Sequence, residues 1–286
     1  MNKSSVVSIS KVSVNYYICQ LFLFVVVIAF SSYTSCFALS NLFFKPLTSN
    51  PLEARVGTMY QFGDNKLRLD IGNSIDLQTI HLTDSLPLTL GTEFFTLTRL
   101  RSEGRLKFPV ETADFYFGIN GAVKKQIGET VEGSARLRVA HISSHLVDGY
   151  ANDSVFIRQK PFVYSREFAE GIVATEFSHS LRLYGGLTYV WSTQPRSANR
   201  LIPQIGFDGN HKVSTSLSVN FGYDFKIVCI NDVYTGVHAA QAGIFLETSD
   251  NKGYLLSLYA YRGRSVHGMF FNQDDAYFGT GFQVIF

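Results

Sequence analysis

Beyond residue 38 the chain alternates apolar and polar positions with period two, interrupted by turn residues, and nowhere sustains a 3.6-residue pattern. In the clearest run Thr215, Leu217, Val219, Phe221, Tyr223, Phe225 and Ile227 alternate with Ser216, Ser218, Asn220, Gly222, Asp224 and Lys226. One face is greasy throughout. The other carries two charges and small residues, which suits a wet or hydrogen-bonded interior better than the core of a sandwich. Leu181, Leu183, Leu187, Tyr189 and Trp191 oppose Arg182, Tyr184 and Thr188 in the same way, and Phe115, Phe117, Ile119 and Val123 oppose Tyr116, Asn120 and Lys124.

The pattern predicts strands near 54–62, 66–82, 88–101, 112–127, 132–146, 161–177, 180–193, 200–208, 214–228, 233–247, 252–263 and 275–286, an all-β antiparallel transmembrane barrel of about twelve strands. Tight connections at Asp84-Ser85, Gly128-Glu129-Thr130, Ser178-His179 and Ser249-Asp250-Asn251 alternate with long ones at 102–111, 147–160 and 264–274. Short turns belong to the periplasm and long loops to the outside. Gly63-Asp64-Asn65 and the connection placed near Gly209-Asn210 depart from that alternation. The last strand ends on Phe278, Phe282, Val284 and a terminal Phe286 on one face, similar to the C-terminal signal of bacterial outer-membrane barrels, which implies the outer-membrane assembly machinery as a partner.

The N-terminus changes the picture in one respect. Lys3 and Lys11 precede an apolar run from Ile18 to Phe30, and Cys36-Phe37-Ala38 ends it with small residues at the first and third positions, which reads as a signal peptide over 1–38. The run is short of the ~20 residues of a spanning helix. Residues 39–53, with two prolines near Asn41 to Pro51, read as a periplasmic lead-in, and 54–286 as the barrel. Cleavage after Ala38 leaves Cys229 as the one cysteine, so no intrachain disulfide is expected. A formal charge of +2, with no basic run and no zinc spacing, gives no reason to expect nucleic acid.

Four segments carry a resemblance: Ser143 to Asp148 with its SSHL-x-acidic pattern, Arg166-Glu167-Phe168, Leu181 to Gly186, and the closing strand after Gly268. Together they resemble an uncharacterised family of bacterial outer-membrane β-barrels, a domain of unknown function. The resemblance spans nearly the whole mature chain and implies a barrel, an outer-membrane address and outer-membrane lipids as neighbours, but no activity.

The concentrated chemistry lies in Glu132 to Tyr150. On a strand Ala135, Leu137, Val139, His141, Ser143 and His145 share one face, and Arg136, Arg138, Ala140, Ile142 and Ser144 the other. His141 and Ser143 then stand about 7 Å apart along the backbone, within reach of a hydrogen bond after a rotamer change. His141-Ile142-Ser143 resembles the His-x-Ser of outer-membrane phospholipase A and lipid A deacylase, which implies His141 as general base and Ser143 as nucleophile. If strands five and six pair across 147–160, Glu167 falls opposite His141 and orients it. Three readings stay open: a structural, envelope-associated barrel whose polar strand end meets headgroups, which comes first; a lipid acyl hydrolase; and a narrow channel.

No metal site and no cofactor are expected. His141 and His145 are ~13 Å apart on a strand, too far for one zinc ion. Asp148, Asn152 and Asp153 read as a solvated loop before a calcium site, Asn152-Asp153-Ser154 is a glycosylation sequon, and Arg264 and His267 are candidate headgroup contacts. The inward charges Lys124, Arg136, Arg138, Arg182, Asp224 and Lys226 predict a network across the lumen.

Overall fold

The computed structural model describes residues 42–83, 85–152, 155–156, 159–196, 200–249 and 252–285. The expected signal peptide at 1–38, the sequon residues Asp153 and Ser154, the turn residues Asp84, Asp250 and Asn251, and the terminal Phe286 lie outside the described residues.

The alternation resolves into β1 (Val56–Gln61), β2 (Lys66–Thr83), β3 (Leu86–Arg101), β4 (Val110–Gly128), β5 (Val131–Leu146), β6 (Ala151–Asn152), β7 (Val155–Phe156), β8 (Tyr164–Phe177), β9 (Leu181–Gln194), β10 (Leu201–Ser214), β11 (Leu217–Ile230), β12 (Val233–Ser249), β13 (Lys252–Arg264) and β14 (Asp274–Ile285). Twelve of these close into one antiparallel barrel, β5 neighbouring β8 and β1 closing on β14, while β6 and β7 form a small hairpin in the β5–β8 connection. Closure leaves no free ends to the ring of strands, which is how a sheet satisfies its backbone without water. Outward side chains are the greasy set: Phe117, Ile119, Leu137, Leu187, Leu256 and Phe278 are exposed while Tyr116, Arg138, Thr188 and Asp224 are buried inside.

All connections at one end run to two or three residues, at 84–85, 129–130, 178–180, 215–216 and 250–251, and the longer ones, 102–109, 147–163 and 265–273, gather at the other. Ser178 and His179 both take positive φ, as do Asn231 and Asp232. These are the left-handed pairs that match the twist of two-residue hairpins. One boundary differs from the sequence reading. Gly209 and Asn210 are not a connection: β10 runs through them, paired with Phe221 and Asn220, and the turn falls at 215–216. Gly209 is there because the Phe221 ring lies over it where a Cβ would stand, a close approach and not a bend.

The predicted periplasmic lead-in also differs. From Leu42 onward it lies inside the wall, tied to strands all around the ring. Arg182 on β9 donates to the carbonyls of Lys45 and Pro46 (2.8 and 2.9 Å), Lys226 on β11 to Asn50 (2.8 Å), and Arg68 on β2 to the carbonyl of Pro51 (3.3 Å). Glu53 reaches Arg136 on β5 through both oxygens. An inward arginine cannot stay unpaired away from water, and this segment supplies acceptors that the wall lacks. Arg138, with a fully buried side chain, completes the network with Glu93 and Glu170. At the long-loop end, residues 265–273 fold into the mouth, burying Met269, Phe270 and Phe271 against Tyr150 and Tyr164.

Candidate active site

On β5 the outward positions include His141, Ser143 and His145, in the half of the strand nearer the long-loop end. The β5–β8 register sets His141 opposite Glu167 and Ser143 opposite Ser165. Because both strands keep period two here, four polar side chains meet on an otherwise apolar outer surface. His141 Nδ1 lies 3.0 Å from Glu167 Oε1, with the side chains 44 % and 30 % exposed. Ser165 donates to the same oxygen at 2.8 Å. With Nδ1–H given to the carboxylate, Nε2 is the ring's free acceptor, on the face that carries Ser143. Nucleophile and base are not hydrogen-bonded to each other in this arrangement; neighbours two apart on a strand connect by a rotamer change.

A residue the sequence reading missed completes the cluster. The β8–β9 register shifts by one between Glu167 and Phe168, leaving Trp191 as the extra residue of a bulge. Up to Val190 the even-numbered side chains of β9 point inward, yet Trp191 and Ser192 are both exposed. Ser192 thereby faces outward, opposite Glu167 in the ladder. The surroundings are hydrocarbon-like: Phe115 and Phe117 of β4 pair with Ser143 and His141, and both are exposed to the outside along with Val139, Tyr189 and Trp191.

The other candidates separate. Ser144 points inward and accepts from the Met269 N–H at 3.0 Å. His145 lies outward, tilted on Phe115 with ring centroids 5.9 Å apart. Arg264 pairs with Asp274 at 3.0 Å. His267 is not at the surface: it is 1 % exposed, its Nδ1 2.6 Å from Asp114 Oδ2, because the loop that bears it folds into the barrel. Among the described residues no three His, Cys, Asp or Glu converge as metal ligands.

Residues 97–286 match the family model described as "Protein of unknown function (DUF1207)". No curated protein matches the chain. Among solved structures, the outer membrane phospholipase (OMPLA) dimer with bound calcium from Salmonella typhi is similar over 84 % of this chain and 94 % of its own, at 12 % identity and a TM-score of 0.52. LpxR from Salmonella typhimurium aligns over 77 % and 88 % of the two chains at 11 % identity and a TM-score of 0.34, and OmpT of Vibrio cholerae over 80 % and 95 % at 9 % identity and 0.34. At such identity the likeness to the phospholipase speaks for the fold. A closed twelve-strand antiparallel barrel with an apolar outer face and a charged interior has the architecture of outer-membrane proteins.

Proposed function

The chain belongs to the DUF1207 family, whose function is unknown, and from the geometry we propose that it is a lipid acyl hydrolase working at the outer leaflet. The observation that carries this reading is the His141 Nδ1 to Glu167 Oε1 bond on the outward face, two residues from Ser143. Headgroup contact alone requires no carboxylate behind the imidazole, and this pairing leaves Nε2 unengaged on the face that carries Ser143.

In the proposed reaction Ser143 Oγ attacks the ester carbonyl as His141 Nε2 takes its proton. The tetrahedral intermediate expels the lipid's alcohol, which leaves with that proton, and the acyl group stays on Ser143. Water then attacks, giving its proton to His141, and fatty acid departs as Ser143 recovers a proton. Glu167 holds the ring and stabilises the imidazolium between steps. The lipids of the surrounding leaflet are the substrates of this reading, their acyl chains lying along Phe115 and Phe117, and the assembly machinery would read β14 with its outward Phe278 and Phe282. The channel reading finds no support in the lumen, which the 42–55 segment and its buried ion pairs occupy.

The test is fatty-acid release from phospholipid and from lipid A in mixed micelles by purified protein. Activity should vanish with Ser143→Ala and with His141→Ala, and the double variant should lose little more, since the two act as a unit. No release from any lipid ester returns the protein to a structural role.

A further inference from the structure

Resting on that reading, the geometry points to Ser165 and Ser192 as positioning residues that hold the Glu167 carboxylate against His141 and so fix which nitrogen of His141 carries the proton. Glu167 sits on the lipid-facing side of the wall, where an isolated carboxylate is costly. The group facing it from β5 is the titratable His141, and from β9 the neutral Ser192. Among the described residues no lysine or arginine pairs with it on this face; Arg166, next along β8, lies over the ring of the buried Tyr164. Ser165 and His141 share Oε1, while Oε2 is buried without a hydrogen-bond partner and is the oxygen open to Ser192 across the β8–β9 pair.

Hydroxyl donors to the charged form favour ionisation. The carboxylate's state then decides the ring's. An ionised Glu167 accepts Nδ1–H and leaves Nε2 bare for the Ser143 proton. A protonated Glu167 would donate to Nδ1, put the ring's proton on Nε2, and block general-base action. The bulge at Trp191 has a use on this account: without the extra residue Ser192 would turn into the lumen with Thr188 and Val190, and the carboxylate would lose one of its two hydroxyls.

The experiment compares pH profiles of ester hydrolysis for wild type, Ser165→Ala, Ser192→Ala, the double variant and Ser192→Thr, each checked for folding by its mobility on unheated gels. The acid limb should move up by about one pH unit for one lost hydroxyl and about two for both, with kcat falling more than KM rises, and threonine at 192 should restore the wild-type limb. A second arm does not need turnover: nitrogen-15 spectra of His141 in detergent, followed from neutral to acid pH, should show the Nδ1–H tautomer lost about two pH units higher in the double variant than in wild type. Unmoved acid limbs with an unchanged tautomer overturn this inference while leaving the hydrolase intact. An enzyme inactive on every ester that still shows the tautomer change overturns the hydrolase and leaves the positioning role standing.

Discussion

Two histidine–carboxylate pairs lie within three rungs of each other on opposite sides of the same wall. His267 and Asp114 are inside, 2.6 Å apart and nearly inaccessible, and Asp114 is the β4 partner of Ser144. His141 and Glu167 are outside, 3.0 Å apart and partly exposed, beside Ser143. By distance alone the inner pair is the better dyad. Its surroundings make it a latch. Asp114 also accepts the Gly268 N–H at 2.7 Å, Ser144 is occupied by Met269, and His267 Nε2 is buried with no partner. The outer pair has what the inner lacks, an unengaged hydroxyl on its own face and a route for an acyl chain. Access and an unengaged nucleophile separate a reactive dyad from a structural one.

Substitutions sharpen this contrast. The largest effect is expected at the outer site: Ser143→Ala or His141→Ala should cost on the order of 10⁴-fold or more in lipid hydrolysis with no change in unfolding midpoint, whereas His267→Ala should act on stability alone. Hydrolysis assays run beside thermal melts decide it, and a His267→Ala protein that stays folded but inactive would break the distinction. Next is the latch. Asp114→Ala strands the His267 and Gly268 donors, a loss of about 2–5 kcal/mol, and should expose the 265–273 loop to protease while each folded molecule keeps its hydrolytic rate. A comparable loss, roughly 3 kcal/mol, is expected for Glu53→Ala, which leaves Arg136 buried with a single acidic partner, read as a lower unfolding midpoint in detergent. The smallest perturbation tests orientation: cysteines at Asn152 and at Glu129 should label from outside intact cells at the first position only. Labelling at Glu129 instead would put Ser143 in the inner leaflet.

Much of this was legible in the sequence because a strand has one period. Alternation alone sorts Leu137, Val139 and His141 from Arg136, Arg138 and Ala140, and it fixes the ring of twelve strands. The meeting of His141 with Glu167 needed one more step, a hairpin closed across 147–160, and the observed ladder pairs those two residues. What was not legible follows from breaks in periodicity. Ser192 lies on the wrong parity until Trp191 is bulged out, and no residue type announces that bulge. Residues 42–55 have no period to read; their place is set by arginines far along the chain whose need for acceptors is visible only once the barrel is closed. His267 reads as a headgroup contact because loops belong at the surface, but Met269 and Phe270 carry this one into the mouth.

Covalent trapping tests the central claim most directly. Purified protein is treated in mixed micelles with a long-chain alkyl fluorophosphonate, which phosphonylates a serine that a neighbouring base activates and loses fluoride, and the modified peptide is found by mass spectrometry. The phosphonyl group should appear on Ser143, not on Ser144 or Ser165, and labelling should disappear in His141→Ala and fall sharply in Glu167→Ala. Labelling of a different serine, or none in a folded wild-type barrel, would contradict the assignment of the outer cluster as a catalytic site.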